Sequence, residues 1–118
     1  MTDNIEIKYN NPESKFKQKF KKYLESQGWI VEYLPSSMYS KGWPDLLCMH
    51  PDYKCHKWVE AKDFKRKLRE TQTRLFTKMA KCNIPVYVIE GDDKVSDEYL
   101  RRCLLGLFNP PNWHNYIS

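Results

Sequence analysis

Phe16, Phe20 and Leu24 recur every four residues in an otherwise polar, lysine-rich stretch. That spacing predicts a helix with one apolar stripe turned to a core. Pro12 and Glu13 suit its first turn, because proline needs no amide partner there and an acid meets the positive end of the helix dipole. Gly28 ends it. From 29 to 34 the pattern changes to an alternation rich in β-formers, a strand. Residues 35–42 are polar and read as a loop. Residues 46–49 form a short apolar strand, 50–54 a turn, and 57–62 the returning strand. Leu68, Gln72, Leu75, Phe76 and Met79 then share one face of a second helix over about 68–82. A continuous apolar run over 84–90 is a further strand, stopped by Gly91-Asp92-Asp93. A last helix spans about 96–107, capped by Ser96 or Asp97. The order is αβββαβα. A hairpin followed by a strand–helix–strand unit predicts an α/β fold with a mixed central sheet flanked by helices. Residues 1–11 are expected to fray. Residues 109–118, with two prolines, Trp113 and Tyr116, are expected to run irregularly over the surface.

At 118 residues the chain is expected to make one domain, 1–118, with one modest core. It contains no internal repeat. Hydrophobic residues make up 41%, too many for a disordered chain, yet no apolar run reaches the roughly 18 residues of a spanning helix. Met1-Thr2-Asp3-Asn4 leads into no apolar segment, so no secretory signal is visible and a cytoplasmic protein without a membrane partner is expected. Cys48, Cys55, Cys82 and Cys103 form no CxxC pair, which argues for free thiols. The net charge is +5, with ten of the 20 Lys and Arg between Lys54 and Lys81 and five more (Lys15, Lys17, Lys19, Lys21, Lys22) on the first helix. Such clusters make either a solvated surface or a face that tracks phosphates.

The chemistry concentrates between Gly42 and Lys62. Gly42-Trp43-Pro44-Asp45 places an acid directly after a turn, and Glu60-Ala61-Lys62 closes an apolar strand. The two strands form a hairpin, which brings Asp45 and Glu60 side by side. Period-2 alternation puts Glu60 and Lys62 on the same face. Two carboxylates beside a lysine suit phosphodiester hydrolysis. Magnesium takes hard oxygen ligands, and an ammonium orients the attacking water or offsets charge in the transition state. The Ala61 carbonyl is a candidate extra ligand. Pro44 limits the movement of the Asp45 backbone and Gly42 permits the sharp turn. Glu13, three residues before Phe16, could complete a metal site from the first helix. Gln72 turns its amide inward, where it could orient Lys62 or a water.

Asp45, Glu60-x-Lys62 and the order of elements resemble the PD-(D/E)xK nuclease superfamily. The Gly-x-Pro-Asp turn, the Glu-Ala-Lys end and Gln72 are most similar to the small VRR-type nucleases, with Holliday-junction resolvases as near relatives. The resemblance covers roughly residues 13–90. It implies a restriction-endonuclease-like αβββαβ core, Mg²⁺ or Mn²⁺ as cofactor, and hydrolysis leaving a 5′-phosphate. It further implies homodimers acting on branched DNA. Carried over by position, Asp45, Glu60, Lys62 and Gln72 make the catalytic set, and Glu13, Asp45, Glu60 and Ala61 the metal set. Lys41, Trp43, Lys65, Arg66, Lys67 and Arg69 are the candidate nucleic-acid contacts. One departure is the lack of an arginine between Tyr33 and Gly42, where Lys41 is the substitute. A stand-alone nuclease of this size suits a phage or mobile element.

Simpler readings compete with each part. Pro-Asp is a common turn, and Glu60 with Lys62 could be a same-face ion pair on an exposed strand. What sets them aside is the joint order, acid then Glu-x-Lys then a basic helix. Cys48, His50, Cys55 and His56 share the hairpin and could bind zinc, but adjacent strand residues point to opposite faces, so Cys48 reads as a small core residue. Core packing is the reading for Trp29 and Trp58, whereas Trp43 and Trp113 are candidates for substrate or dimer contact. The rival to an endonuclease is a nucleic-acid-binding module that kept the fold without the chemistry, or a nuclease subunit that needs a partner.

Overall fold

A computed structural model describes residues 12–34 and 42–118, with the side chains of 12–14 excluded. The expectations for residues 1–11, most of the 35–42 loop, Lys41 and the Glu13 side chain therefore lie outside the described residues.

Helix α1 (Pro12–Ser26) buries its four-residue stripe completely: Phe16, Phe20 and Leu24 have no solvent exposure. Each such side chain contributes about 1.5–3 kcal/mol of hydrophobic stabilisation. The helix ends in a Schellman turn, in which Gly28 N donates to Glu25 O and Trp29 N to Leu24 O. Gly28 takes φ +90 there, a conformation that glycine adopts without steric cost. Strands β1 (Ile30–Tyr33), β2 (Leu46–His50) and β3 (Cys55–Lys62) follow as an antiparallel meander. Helix α2 (Glu70–Lys81) crosses over to β4 (Val86–Glu90), which lies parallel to β3. Helix α3 (Asp97–Gly106) comes last, with the Ser96 Oγ accepting from Tyr99 N as its cap. The sheet order β1-β2-β3-β4 gives the expected mixed sheet and restriction-endonuclease-like αβββαβ core. Among the described residues no helix is long and apolar enough to cross a membrane.

The sheet carries two cores. On one face Phe16, Phe20 and Leu24 of α1 and Leu100 of α3 meet Val31, Leu46, Cys48, Val59, Ala61 and Ile89. On the other, Phe76 and Met79 of α2 meet Val86 and Val88. Alternation along β3 therefore sends Val59 and Ala61 into the first core and Glu60 and Lys62 under α2.

Two element boundaries need correction. Leu68 does not begin α2. It sits before the helix, forms an isolated bridge to Ile117, and gives its amide to Tyr116 O. Residues 84 and 85 do not belong to β4. Asn83, at φ 60, closes α2 with a second Schellman turn, and the Ile84 amide is used on Met79 O. The tail has little regular structure but is tied down. It forms a 3-10 turn (Trp113–Tyr116), and Asn112 lies against the edge strand β4, its Oδ1 accepting from Val88 N and its Nδ2 donating to Val88 O. A side-chain amide thus stands in for a missing neighbouring strand. Trp113 packs on Phe76, with ring centroids 6.2 Å apart, so it is used in holding the tail rather than left free.

Candidate active site

Asp45 enters the site on a rigid turn. Pro44 is fully buried. Gly42 has φ +89, and a Cβ there would lie 2.9 Å from Thr71 O. Glycine is thus required both for the backbone conformation and for the close approach of the first turn of α2. One step beyond the Leu46↔Val59 pair, the β2–β3 register brings Asp45 opposite Glu60. The Asp45 Oδ2 accepts from Ala61 N at 2.9 Å, which fixes the carboxylate to β3. Its Oδ1 faces Lys17 Nζ at 3.4 Å.

Glu60 is 1% exposed. Its Oε2 accepts from Gln72 Nε2 at 2.7 Å and lies 3.3 Å from Lys62 Nζ. Its Oε1 is buried and has no hydrogen-bond partner, alone in this among the described side chains. Burial, and after it the negative charge of Asp45, raises the Glu60 pKa to about 8, against the pull of Lys62 and the Gln72 amide. A buried carboxylate with an orphaned oxygen, facing a second carboxylate, is only partly compensated by the Lys62 ammonium. Lys62 Nζ donates to Gln72 Oε1 at 2.9 Å, so its direction is fixed. Gln72 is the hub. The same Oε1 also accepts from Arg69 N at 2.9 Å, the back-capping bond of an N3 glutamine. One side chain therefore starts α2 and braces both Glu60 and Lys62.

The structure thus brings Asp45, Glu60, Ala61, Lys62 and Gln72 together. Asp45 and Glu60 are the pair that could hold a metal, and as hard oxygen donors they fit a magnesium-like ion. Among the described residues no group of three or more His, Cys, Asp or Glu is gathered for that purpose, so further ligands would be backbone oxygens or come from outside the described set. The hairpin thiols and imidazoles do other work. Cys48 is a core residue whose thiol burial pushes up to about 12. His50 Nδ1 accepts from Asp52 N and Tyr53 N, and its ring stacks on Tyr53 with centroids 4.0 Å apart, closing the turn.

The candidate nucleic-acid contacts lie around this centre. Trp43, 43% exposed, tilts against the half-buried Trp58. Lys65, Arg66, Lys67 and Arg69 are exposed on the connection from β3 to α2. The lysines of α1 are less free than their number implies: Lys19 caps Asp93 O and Val95 O, and Lys21 pairs with Glu25. Trp29 is buried, as a core reading requires. The periodicity does not reveal Lys17. It follows Phe16 on the border of the buried stripe, and only the packing of α1 on the β2 entry turn brings it to Asp45.

A solved structure described as a VRR_NUC domain matches this chain with a TM-score of 0.64 and 25% sequence identity, over 81% of this chain and 97% of its own. No family model and no curated protein matches.

Proposed function

We propose that this chain, VRR-nuclease-like and related to the PD-(D/E)xK superfamily, is a metal-dependent endodeoxyribonuclease. It hydrolyses phosphodiester bonds and selects branched or junction DNA. The observation that carries the reading is the orphaned Glu60 Oε1 opposite Asp45. A buried oxygen without a partner costs about 1–3 kcal/mol, and ligation of a cation removes that cost.

Asp45, Glu60, the Ala61 carbonyl and Glu13 would hold Mg²⁺ or Mn²⁺. Bound there, the ion supplies Lewis acidity and acidifies a ligated water. The chain's own residues do the rest. Asp45 is kept in place by the Ala61 amide. The Lys62 ammonium, aimed by Gln72 and Glu60, hydrogen-bonds the attacking water or the scissile phosphate and offsets the charge of the pentavalent transition state. Gln72 is a positioning residue, because it acts through Glu60 and Lys62. The water oxygen bonds to phosphorus as the bond to the 3′ oxygen breaks, which leaves a 5′-phosphate and a 3′-hydroxyl. A two-fold homodimer would present two such centres to two strands of a junction.

The test is cleavage of linear duplex, single strand and four-way junction, each with Mg²⁺, Mn²⁺ or EDTA. Cutting is expected only with metal, fastest on the junction, and absent in Glu60→Gln. Lys62→Ala should lower the rate by about 100-fold or more while DNA affinity stays within a few-fold. Tight binding without cutting of any substrate would replace this reading with a binding module or a partner-dependent subunit.

A further inference from the structure

We infer that the β3–α2 connection and the C-terminal tail together build a second phosphate site, which grips the backbone next to the scissile bond. The inference rests on the nuclease reading of Asp45, Glu60 and Lys62 and adds how the substrate strand is held there.

Beyond Lys62 the chain turns tightly. Phe64 N donates to Asp63 Oδ1 and Arg66 N to Asp63 O. Lys65 is held at φ 66, a left-handed conformation that costs a non-glycine residue about 1–2 kcal/mol. Such strain persists only where the surroundings over-determine it. Here Glu90 Oε2 accepts from Lys65 N at 3.3 Å. On the other side Leu68 N donates to Tyr116 O, and Leu68 bridges to Ile117. Loop, β4 and tail are therefore stitched together, Glu90 of β4 holding one end of the loop and the tail the other. Between them opens a cleft of about 340 Å³, lined by Lys65, Arg66, Lys67, Asn115, Tyr116 and Glu90.

Positive charge prevails in this cleft, three cations against one carboxylate. Lys65, Arg66 and Lys67 are exposed and make no ion pair among the described residues. Elsewhere Lys17, Lys21, Arg74, Arg101 and Arg102 all have carboxylate partners. Glu90, the one acid among the described lining residues, accepts from the Lys65 amide and keeps its charge. Its negative charge, after burial, also helps to raise the Tyr116 pKa, which places the phenol beside the same carboxylate. Three unpaired cations on a locked loop, with an amide side chain opposite, suit a phosphate oxyanion.

The location gives the site its role. Glu90 is the register partner of Lys62, and adjacent strands lie about 4.8 Å apart. The cleft therefore begins one strand away from the lysine at the reacting centre. An internal phosphodiester and a terminal 5′-phosphate share the required chemistry.

The test uses the full chain in EDTA, with binding read by fluorescence anisotropy. The probes are duplexes that carry one neutral methylphosphonate at successive positions, or lack the terminal 5′-phosphate. Cleavage in Mg²⁺ maps the cut. For wild type, one neutralised position next to the cut should weaken binding about fivefold or more, and the log–log salt slope should reflect that contact at about 0.9 per phosphate. The triple variant Lys65→Gln, Arg66→Gln, Lys67→Gln should show the same loss of affinity, a shallower salt slope and indifference to that position. Asn115→Ala should show part of this. Unchanged melting temperatures would separate the effect from misfolding. An effect confined to the terminal phosphate supports the site as a reader of strand ends. A triple variant that binds every probe like wild type, with the same salt slope, overturns the phosphate site, whether or not the protein cuts. Loss at one phosphate through these residues in a protein that cuts nothing would keep the site and remove the nuclease reading. Absence of DNA binding by wild type would remove both.

Discussion

Glu60 decides the behaviour of the site at the scale of a single residue. Its folded-state pKa is raised from 4.5 to about 8, first by burial and then by Asp45. Between those values the folded protein keeps a proton that the unfolded chain has lost, so the unfolded state binds fewer protons. Stability of the metal-free protein should therefore fall as pH rises from about 4.5 to 8, by up to about 1.4 kcal/mol per pH unit. Urea unfolding in EDTA at pH 5 and pH 8 measures this, with Glu60→Gln as the comparison. A wild type whose pH dependence matches that of the variant would sink the argument. A divalent ion would favour the ionised form and oppose the trend. The meeting of Asp45, Glu60 and Lys62 was legible in the sequence because it follows from order and alternation. Lys17 was not, because its partner is 28 positions away and joined to it only by helix packing.

At the scale of elements, the helices and the hairpin follow from their patterns, and the ends follow from capping chemistry. Gly28 and Asn83 close α1 and α2 by the same turn, one in glycine and one in asparagine. The tail is where pattern reading says least. Two prolines and no periodicity give no strand signal, and the tail's contribution is a side-chain amide on a strand edge. Asn112→Ala should leave Val88 N and O without their partners and cost about 1–3 kcal/mol. Faster hydrogen exchange at the Val88 amide and a lower urea midpoint would register the loss. Unchanged protection there would mean that the tail does not guard the edge.

At the scale of the whole molecule, the sheet separates a larger apolar core from a face that also buries polar side chains. The α1–α3 side holds the larger core and contributes Lys17. The α2 side holds Phe76, Met79, Val86 and Val88, but gives its remaining space to Glu60, Lys62 and Gln72. Under the proposed function, a cation bound at Asp45 and Glu60 would compensate charge that burial disfavours. A metal that binds only the folded state raises stability by mass action, about 2.7 kcal/mol at 100 times its dissociation constant. Mn²⁺ should raise the melting temperature by several degrees in a concentration-dependent way. Asp45→Asn should remove that rise. An equal rise in both proteins would place the metal elsewhere.

The sequence by itself determined the order of elements, the mixed sheet and the face on which Glu60 and Lys62 lie. These depend on periodicities of two and of about 3.6 residues, which are local. It also determined that Asp45 follows a tight turn, because proline fixes its own φ and glycine admits a positive φ wherever they stand. Tertiary structure alone decided that Gln72 serves Glu60, Lys62 and Arg69 at once. It alone brought Lys17 to Asp45, and it left one Glu60 oxygen without a partner among the described residues. It also joined the tail to the β3–α2 connection around a basic cleft. Each of these depends on which distant residues meet when two faces of a sheet are covered, and no local pattern encodes that.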